Sequence, residues 1–304
     1  MAAGALSYFM ARSLPLDAQS RHLTLTLVSQ YIQPIFIFCM LFLSFLKVSP
    51  REMRPRRWHL WVLLIQAGCF IACSLLAMHC QNYEHKILCE GAMLAFICPT
   101  ATASAVITGK LGGSTSGVVT YLLICNLMVS VVAPAFLPMV EPHAGLGFIQ
   151  SFLMIMGKVF PLLIAPLITA QLVRRFIRPL YTRLMRYPDL AFHLWVVSLA
   201  LAIAVTVRSI CHTTVAWHYL VGLAIISGIC CLLQFWIGKH IGQRYGQQER
   251  ITAGQAFGQK NTVFVIWMGL VFLDPVTSVI GGFYSVWHNI VNSYQLYKVR
   301  HHHF

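Results

Sequence analysis

The chain has 304 residues, of which 58% are apolar and only 10% are charged. Soluble domains are nearer half apolar and a quarter charged, so this composition excludes a soluble enzyme with a membrane tail and indicates a chain that lies mostly in lipid. The formal net charge of +14, from 22 Lys and Arg against 8 Asp and Glu, could indicate a protein that binds nucleic acid. The positions of the basic residues along the chain decide between that interpretation and a membrane protein.

Nine apolar stretches, in chain order, are long enough to cross a bilayer as helices. They cover residues 28–47, 58–79, 88–109, 116–140, 148–173, 190–208, 216–237, 251–273 and 276–297. The N-terminal stretch 1–14 is too short to cross by itself and lacks the charged start and cleavage site of a secretory signal. We interpret it as the remainder of a tenth helix.

The basic residues lie in alternate loops between these stretches. If the first stretch ends in the cytoplasm, sixteen basic residues fall inside and four outside. The inner set is Lys47, Arg51, Arg54, Arg56, Arg57, Lys110, Arg174, Arg175, Arg178, Arg183, Arg186, Lys239, Arg244, Arg250, Lys298 and Arg300, and the outer set is Arg12, Arg21, Lys86 and Arg208. Such an excess of cytoplasmic Lys and Arg is typical of helical membrane proteins. We therefore expect an integral membrane protein with a cytoplasmic C-terminus, and we exclude nucleic acid as a partner.

Two of the predicted spans contain polar interruptions that a continuous helix would avoid. Residues 97–105 are Ile-Cys-Pro-Thr-Ala-Thr-Ala-Ser-Ala, and residues 254–262 are Gly-Gln-Ala-Phe-Gly-Gln-Lys-Asn-Thr. Pro99 removes a backbone donor, and consecutive polar side chains are costly against lipid. Paired interruptions in corresponding halves indicate a transporter built from inverted repeats. The first repeat would cover about 1–142 and the second 143–304.

Two lysines, Lys158 and Lys260, lie within apolar spans. A charged side chain at that depth is energetically costly unless it reaches the interface, and it therefore marks a candidate functional site. For Lys158, a structural role such as a bond to the carbonyl of a broken helix competes with a functional one. Lys260 belongs to the polar run 254–262, and because no Asp or Glu occupies the middle of any span, it has no evident counter-ion.

Four motifs follow one another along the chain. They are Phe42-Leu43-Ser44-Phe45-Leu46-Lys47 before Pro50, Pro99 to Ser104, Gly258-Gln259-Lys260-Asn261-Thr262 and, most specifically, Ser285-Val286-Trp287-His288-Asn289-Ile290. Together they resemble the bile acid:sodium symporter family from about Tyr31 onward. The resemblance implies an all-α integral membrane protein with nine or ten transmembrane helices in two inverted five-helix repeats, which form panel and core domains. It also implies that the two interrupted helices cross in the core and that the substrate is an amphipathic or small organic anion.

The ion-coupling positions depart from the pattern of that family. Sodium-coupled members of the family share motifs that look like Glu-x-x-x-Gln-Asn in the second crossing helix and Thr-Ala-Ser-Asn in the first. The Glu, Gln and Asn side chains of these motifs supply the sodium ligands. The missing ligands fall at Ala256, Lys260 and Ala105, whereas a Gln of the third helix is present as Gln66. Sodium is therefore a doubtful partner. Because two sodium ions beside one carboxylate leave a single positive charge, we interpret the Lys260 ammonium as a tethered substitute for the coupling cations.

The resulting hypothesis is a secondary transporter of organic anions that works by alternating access without sodium, either facilitative or linked to protons through Lys260. One alternative is a sodium-coupled symporter with a remnant ion site. A second alternative, from another class, is a membrane receptor or sensor for an organic anion. The candidate substrate contacts are Thr100, Thr102, Asn261, His288 and Asn289, and the candidate coupling or ion-site residues are Lys260, Gln66, Ser104 and Gln259.

The remaining features predict no catalytic chemistry. We find no matched nucleophile and base, no nucleotide-binding loop and no paired Cys spacing typical of a zinc or redox site, and the ten cysteines fit small apolar packing residues. We therefore expect no enzyme activity, no cofactor and no structural metal. The expected location is the inner (plasma) membrane of a bacterium, and the sequence leaves the identity of the anion, the direction of transport and the oligomeric state open.

Overall fold

The computed structural model describes residues 2–13, 23–24, 26–142, 145–187 and 189–301. These ranges are helical, with short connections and no strand. The helices are α1 (Ala2–Ser13), α2 (Gln33–Lys47, preceded by a π-helical turn Val28–Ile32), α3 (Arg57–His79), α4 (Tyr83–Ile97), α5 (Ser104–Lys110), α6 (Thr115–Val140), α7 (Phe148–Phe176), α8 (Arg178–Met185), α9 (Leu190–His212), α10 (Trp217–Gln243), α11 (Gln247–Gly258), α12 (Thr262–Phe272) and α13 (Val279–His301). Arg21, a predicted outer basic residue, and residues 143–144, next to the predicted repeat boundary, lie outside the described residues.

Within the described ranges, six helices are long and apolar enough to cross a bilayer, and all six coincide with predicted spans. They are Val28–Lys47, Arg57–His79, Thr115–Val140, Phe148–Phe176, Leu190–His212 and Trp217–Gln243. The other three predicted spans differ for physical reasons. Two of them are divided into half-helices, each too short to cross alone. The third, α13, has 23 residues but carries polar side chains along its length.

The N-terminal stretch forms α1, a helix of 12 residues that packs against α9. At 1.5 Å per residue this helix is about 18 Å long, which is shorter than the hydrocarbon core of a bilayer, about 30 Å. Gly4 permits the close contact, because a Cβ there would lie 2.5 Å from the Ala200 carbonyl oxygen. The predicted remainder of a tenth helix is therefore a folded, packed element.

The helices form two groups of neighbours. In the first group, α1 packs against α9, α9 against α2, and α2 against α7. The second group contains α3, α6, α10, α13 and the half-helices: α4 packs against α3, α10 and α13, and α11 packs against α10, α6 and α5. The groups meet where α6 packs against α7, where α9 contacts α13, and where α12 contacts α2 and α9. Both interrupted helices thus belong to the second group.

Small residues allow α10 and α11 to approach closely. A Cβ at Gly238 or Gly242 would collide with the backbone carbonyl of Ala253 or Glu249 on α11. Glycines four residues apart commonly permit such contact between membrane helices, because they expose the backbone along one face. This contact fixes the position of α11, which leads into the second interruption.

A polar cluster ties the starts of α3, α6 and α11 together at one end of the molecule. Arg56 donates to Glu249 and, at 2.8 Å, to the Ser114 hydroxyl. The indole N–H of Trp58 donates to the second oxygen of Glu249 at 2.6 Å, and the Ser114 N–H donates to the Thr252 hydroxyl at 2.9 Å. Burial lowers the pKa of the Arg56 guanidinium, which nevertheless stays charged at neutral pH.

A second polar cluster lies at the opposite end of α6. The Lys86 ammonium pairs with Glu141 and lies 3.7 Å from Glu90, and the Thr277 hydroxyl donates to Glu90 at 2.8 Å. Glu90 is buried in α4, so a carboxylate does lie inside a predicted span, although its partners are at this end of the molecule. α4 begins earlier than the predicted residue 88, because the Asn82 side chain caps its first turn.

Candidate functional site

One interrupted helix is broken between α4 and α5, and the other is broken between α11 and α12. The two helices pass each other at these breaks. Thr100 and Lys260 form a single antiparallel β-bridge there. The N–H of Ala101 donates to the Gln259 carbonyl at 2.8 Å, and the N–H one residue beyond Lys260 donates to the Pro99 carbonyl at 2.9 Å. These bonds satisfy backbone groups that the helix breaks would otherwise leave unpaired, as buried irregular backbone in a membrane requires. We call this region the crossing.

Side chains complete the crossing. The Thr100 hydroxyl donates to the Ala256 carbonyl at 2.6 Å, and the Tyr284 hydroxyl, from α13, donates to the Gly258 carbonyl at 2.8 Å. Both acceptors lie in the last turn of α11, where carbonyls lack helical partners. Asn261 is the N-cap of α12 and accepts a bond from the backbone N–H three residues on, at 3.3 Å. Two predicted contact residues, Thr100 and Asn261, therefore also hold the crossing together.

Lys260 lies at the bridge and is only 1% exposed. Its ammonium has no hydrogen-bond partner in the described part of the chain, and no carboxylate of that part lies within ion-pair distance. The Phe257 ring centroid lies 4.8 Å from the nitrogen and provides a cation–π contact. An anion that reached the ammonium would thus not have to displace a carboxylate of the described residues from it.

The predicted sodium-site residues have different surroundings. Gln66 donates to the Cys98 carbonyl at 3.0 Å, and its side-chain oxygen accepts the Tyr121 hydroxyl at 2.8 Å. The Ser104 hydroxyl donates to the carbonyl three residues earlier, at 2.6 Å. The side-chain oxygen of Gln259 is buried and has no hydrogen-bond partner within the described ranges. Of these three side-chain oxygens, that of Gln66 already accepts a hydrogen bond, whereas that of Gln259 accepts none from the described residues.

A cavity of about 870 Å³ reaches the crossing from the end that carries Lys47 and Lys110. Its walls come from the C-terminal part of α2, from α5, from the starts of α6 and α9, and from α13. Three predicted site residues, Thr102, Gln259 and Asn289, line it. We call this space the first cavity.

The other predicted residues are not part of that lining. Thr100, Lys260, Asn261 and His288 are buried at or beside the crossing. The His288 ring lies edge-on to Tyr284, with 5.8 Å between the centroids. The Nδ1 atom of His288, the amide nitrogen of Asn261 and the Lys260 ammonium are buried and have no hydrogen-bond partner among the residues that the structure describes. The structure therefore separates the predicted site into a cavity wall and a buried layer.

Sequence reasoning missed an amide cluster next to the first cavity. The side-chain nitrogen of Gln255 donates to Asn292 and to Gln295, both at 3.2 Å. Asn292 lines the cavity, and Ser285, one turn before His288, is also buried. The polar residues of α13 recur every three or four positions, which places them on one face of a helix. That periodicity would have extended the site beyond the motif that ends at Ile290.

A second cavity, of about 540 Å³, lies at the other end of α2. Its walls come from α2 with the preceding π-helical turn, from α7 and from α12. Lys158 is at its surface and lies 5.8 Å from the Phe272 ring centroid. Among the described residues, these two cavities thus lie towards opposite ends of α2, and their linings share no residue.

The sequence was also compared with known proteins. No match among curated proteins is found. The model of the SBF-like CPA transporter family (DUF4137) matches residues 1–280, a range that contains both interrupted helices. The predicted resemblance is thereby confirmed at the level of the broad family, and the apolar helices agree with a membrane protein. The chain therefore belongs to the SBF-like CPA transporter family.

Proposed function

We propose that the protein is a secondary transporter of organic anions that works by alternating access and does not require sodium. The observation that carries the proposal is the Lys260 ammonium, which is buried at the crossing with no carboxylate within ion-pair distance in the described ranges. A carboxylate or sulfonate that reached the crossing would supply the missing counter-charge. Family membership supports transport as the class of function.

The proposed framework is two inverted repeats of five spans, 1–142 and 143–304, with α1 as the short first span. If each helix is replaced by its equivalent in the other repeat, the packing of α1 against α9 becomes the packing of α7 against α2. The packing of α3 against α4 likewise becomes that of α10 against α11. In the same way, α5 with α6 corresponds to α12 with α13. In this framework the first group of helices forms a panel and the second group forms the core.

The polar clusters at the two ends support the same relation. Ser114 follows α5 and bonds to Thr252 on α11, whereas Thr277 follows α12 and bonds to Glu90 on α4. Each cluster thus joins the connection after one crossing helix to the first half of the other crossing helix. A pseudo-two-fold axis through the Thr100–Lys260 bridge would generate this arrangement.

Lys260 takes the place of the coupling cations in this proposal. Its ammonium supplies one positive charge at the crossing, as two sodium ions beside one carboxylate would. The engaged side-chain oxygen of Gln66 supports this view, because it leaves one ligand fewer for a remnant sodium site. An organic anion would favour the ammonium form over the neutral amine, so transport is either facilitative or linked to proton uptake.

The crossing suits an anion in two further ways. The half-helices α5 and α12 begin there, and helix N-termini carry partial positive charge. The amide nitrogen of Asn261 and the Nδ1 atom of His288, which have no partner among the described residues, are candidate donors. Thr102 and Asn289 would contact the substrate from the first cavity. Movement of the panel against the core would expose the crossing alternately to each side.

The proposed orientation follows the basic residues. The first cavity, with Lys47 and Lys110 in its lining, would open to the cytoplasm, and the second cavity would open to the outside. The C-terminus would be cytoplasmic, in the inner membrane of a bacterium. The two lysines would raise the local concentration of anions at the cytoplasmic mouth.

The test is uptake by the full chain in liposomes. Radiolabelled taurocholate, pantoate and pyruvate are offered in sodium buffer and in potassium buffer, with protein-free liposomes as the control. We expect uptake of at least one of these anions, at the same rate in both buffers. Strict loss of uptake in potassium would contradict the role of Lys260 and favour the remnant sodium site. Absence of uptake for all three anions would contradict the substrate class.

A further inference from the structure

The second cavity combines an apolar wall with a cation. Tyr31, Phe38, Leu162 and Val271 contribute rings and aliphatic groups to its lining. Lys158 is the charged residue of that lining, and no carboxylate of the described ranges lies within ion-pair distance of its ammonium. Ligand pockets commonly pair such an apolar wall with a few polar groups that orient the ligand.

A residue of the same lining carries a second, buried donor. Trp267 lines the cavity and is 3% exposed, and its indole N–H is buried without a hydrogen-bond partner in the described part of the chain. Buried tryptophans usually satisfy this group, because an unpaired donor in an apolar setting is costly. Trp267 is on α12, one turn before Val271, whereas Lys158 is on α7, so the two donors come from different helix groups.

We propose that the second cavity is an additional anion-binding site, outside the crossing. In it, the Lys158 ammonium and the Trp267 indole N–H hold the carboxylate or sulfonate of an amphipathic organic anion, and the aromatic wall holds its hydrocarbon body. The anionic class rests on the proposed function, because the same substrate would enter here before it reaches Lys260. A site between α7 and α12 would also couple occupancy to the relative position of panel and core.

The test is equilibrium binding of radiolabelled taurocholate to the purified full chain in nanodiscs. The background variant is Lys260→Met, which removes the ammonium at the crossing and leaves the second cavity intact. In that background, we expect Lys158→Met to weaken binding about tenfold or more, since it removes a charge-assisted contact. Trp267→Phe, which keeps an aromatic ring but removes the N–H, should weaken binding by about two- to tenfold.

Two further variants isolate the charge. Lys158→Arg should restore most of the affinity, because the charge and the donors remain. Lys298→Met is the matched control, since Lys298 also lies beside an aromatic ring, 4.8 Å from that of Tyr294, but does not line the cavity. If Lys158→Met fails to fold, Val271→Phe, which fills the cavity without removing either donor, should weaken binding instead.

The outcomes separate this inference from the proposed function. Unchanged affinity after both Lys158→Met and Trp267→Phe, or complete loss of binding in Lys260→Met alone, would overturn the second site. If wild-type protein showed binding that depends on Lys158 but no uptake, the transport proposal would fail and the site would stand. If the protein showed uptake but its binding did not depend on Lys158, the second site would fail and the transport proposal would stand.

Discussion

Lys260 has no carboxylate within ion-pair distance among the described residues, but its side chain is buried and its ammonium lies over the Phe257 ring, which provides a cation–π contact. Such an arrangement costs folding free energy, since a buried charge that lacks a partner loses its hydration without full compensation. The positive charge is therefore better explained by a ligand than by packing. This reasoning leads to opposite expectations for activity and stability when the charge is removed.

We predict that Lys260→Met abolishes organic-anion uptake, with a fall of about 100-fold or more, because replacing a buried charge removes the group that attracts the substrate. The unfolding temperature should stay the same or rise, since methionine is apolar and similar in length. Liposome uptake and thermal unfolding measure the two effects. Full uptake by the variant would contradict the role given to Lys260, and Lys298→Met is the control for loss of a lysine elsewhere.

A second residue-scale prediction concerns Thr100. Thr100→Val keeps the shape of the side chain but removes the hydroxyl that donates to the Ala256 carbonyl. We expect a loss of about 1–2 kcal/mol in the free energy of unfolding, because a buried carbonyl loses its partner. Chemical denaturation measures the change. Thr206→Val is the control, since the Thr206 hydroxyl donates to the Ala202 carbonyl of its own helix. If both variants lost the same free energy of unfolding, a special role for the crossing would be contradicted.

Individual partners at the crossing could not be predicted from the sequence. The polar runs identified Thr100, Lys260 and Asn261 as unusual in a membrane span, and the structure brings all three together. However, the partner of Thr100 is on another helix, far along the chain, and local sequence carries no information on which carbonyl it meets. For the same reason, the sequence could not indicate that Tyr121 engages the oxygen of Gln66.

At the scale of helices, close packing of α10 on α11 depends on the absence of side chains at Gly238 and Gly242. We predict that Gly238→Leu lowers the free energy of unfolding by about 1–3 kcal/mol or more, because the new side chain must displace the α11 backbone. Denaturation and the yield of monodisperse protein measure the effect. Gly68→Leu on α3 is the control, since no atom lies within 4 Å of a Cβ there, and equal damage by both variants would contradict this view of the interface.

Apolar length predicted the helices well where a span is continuous. The stretch 28–47 agrees with Val28–Lys47, and 116–140 is one residue shorter than Thr115–Val140. Agreement is weaker for the interrupted spans, because hydropathy averages over the break and does not report where each half-helix ends. The ends depend on caps such as Asn82 and Asn261, whose side chains accept backbone N–H groups.

At the scale of the whole molecule, orientation is the property most open to test. We predict a cytoplasmic C-terminus, because most basic residues fall in loops on that side. A green fluorescent protein fused after Phe304 should fluoresce in a bacterial host, and an alkaline phosphatase fused at the same position should be inactive. The reverse pattern would invert the topology and would exchange the sides to which the two cavities open.

The sequence by itself determined that the chain lies mostly in lipid, where its continuous apolar helices lie, and the two places where helices are interrupted. These properties follow from local composition, because lipid excludes polar side chains and unpaired backbone wherever they occur. Only the tertiary structure decided which groups meet at the crossing, that Lys260 has no carboxylate beside it in the described ranges, and how the cavities divide between the ends of α2. Those properties arise from contacts between distant helices, and the geometry of such contacts depends on packing that no single segment encodes.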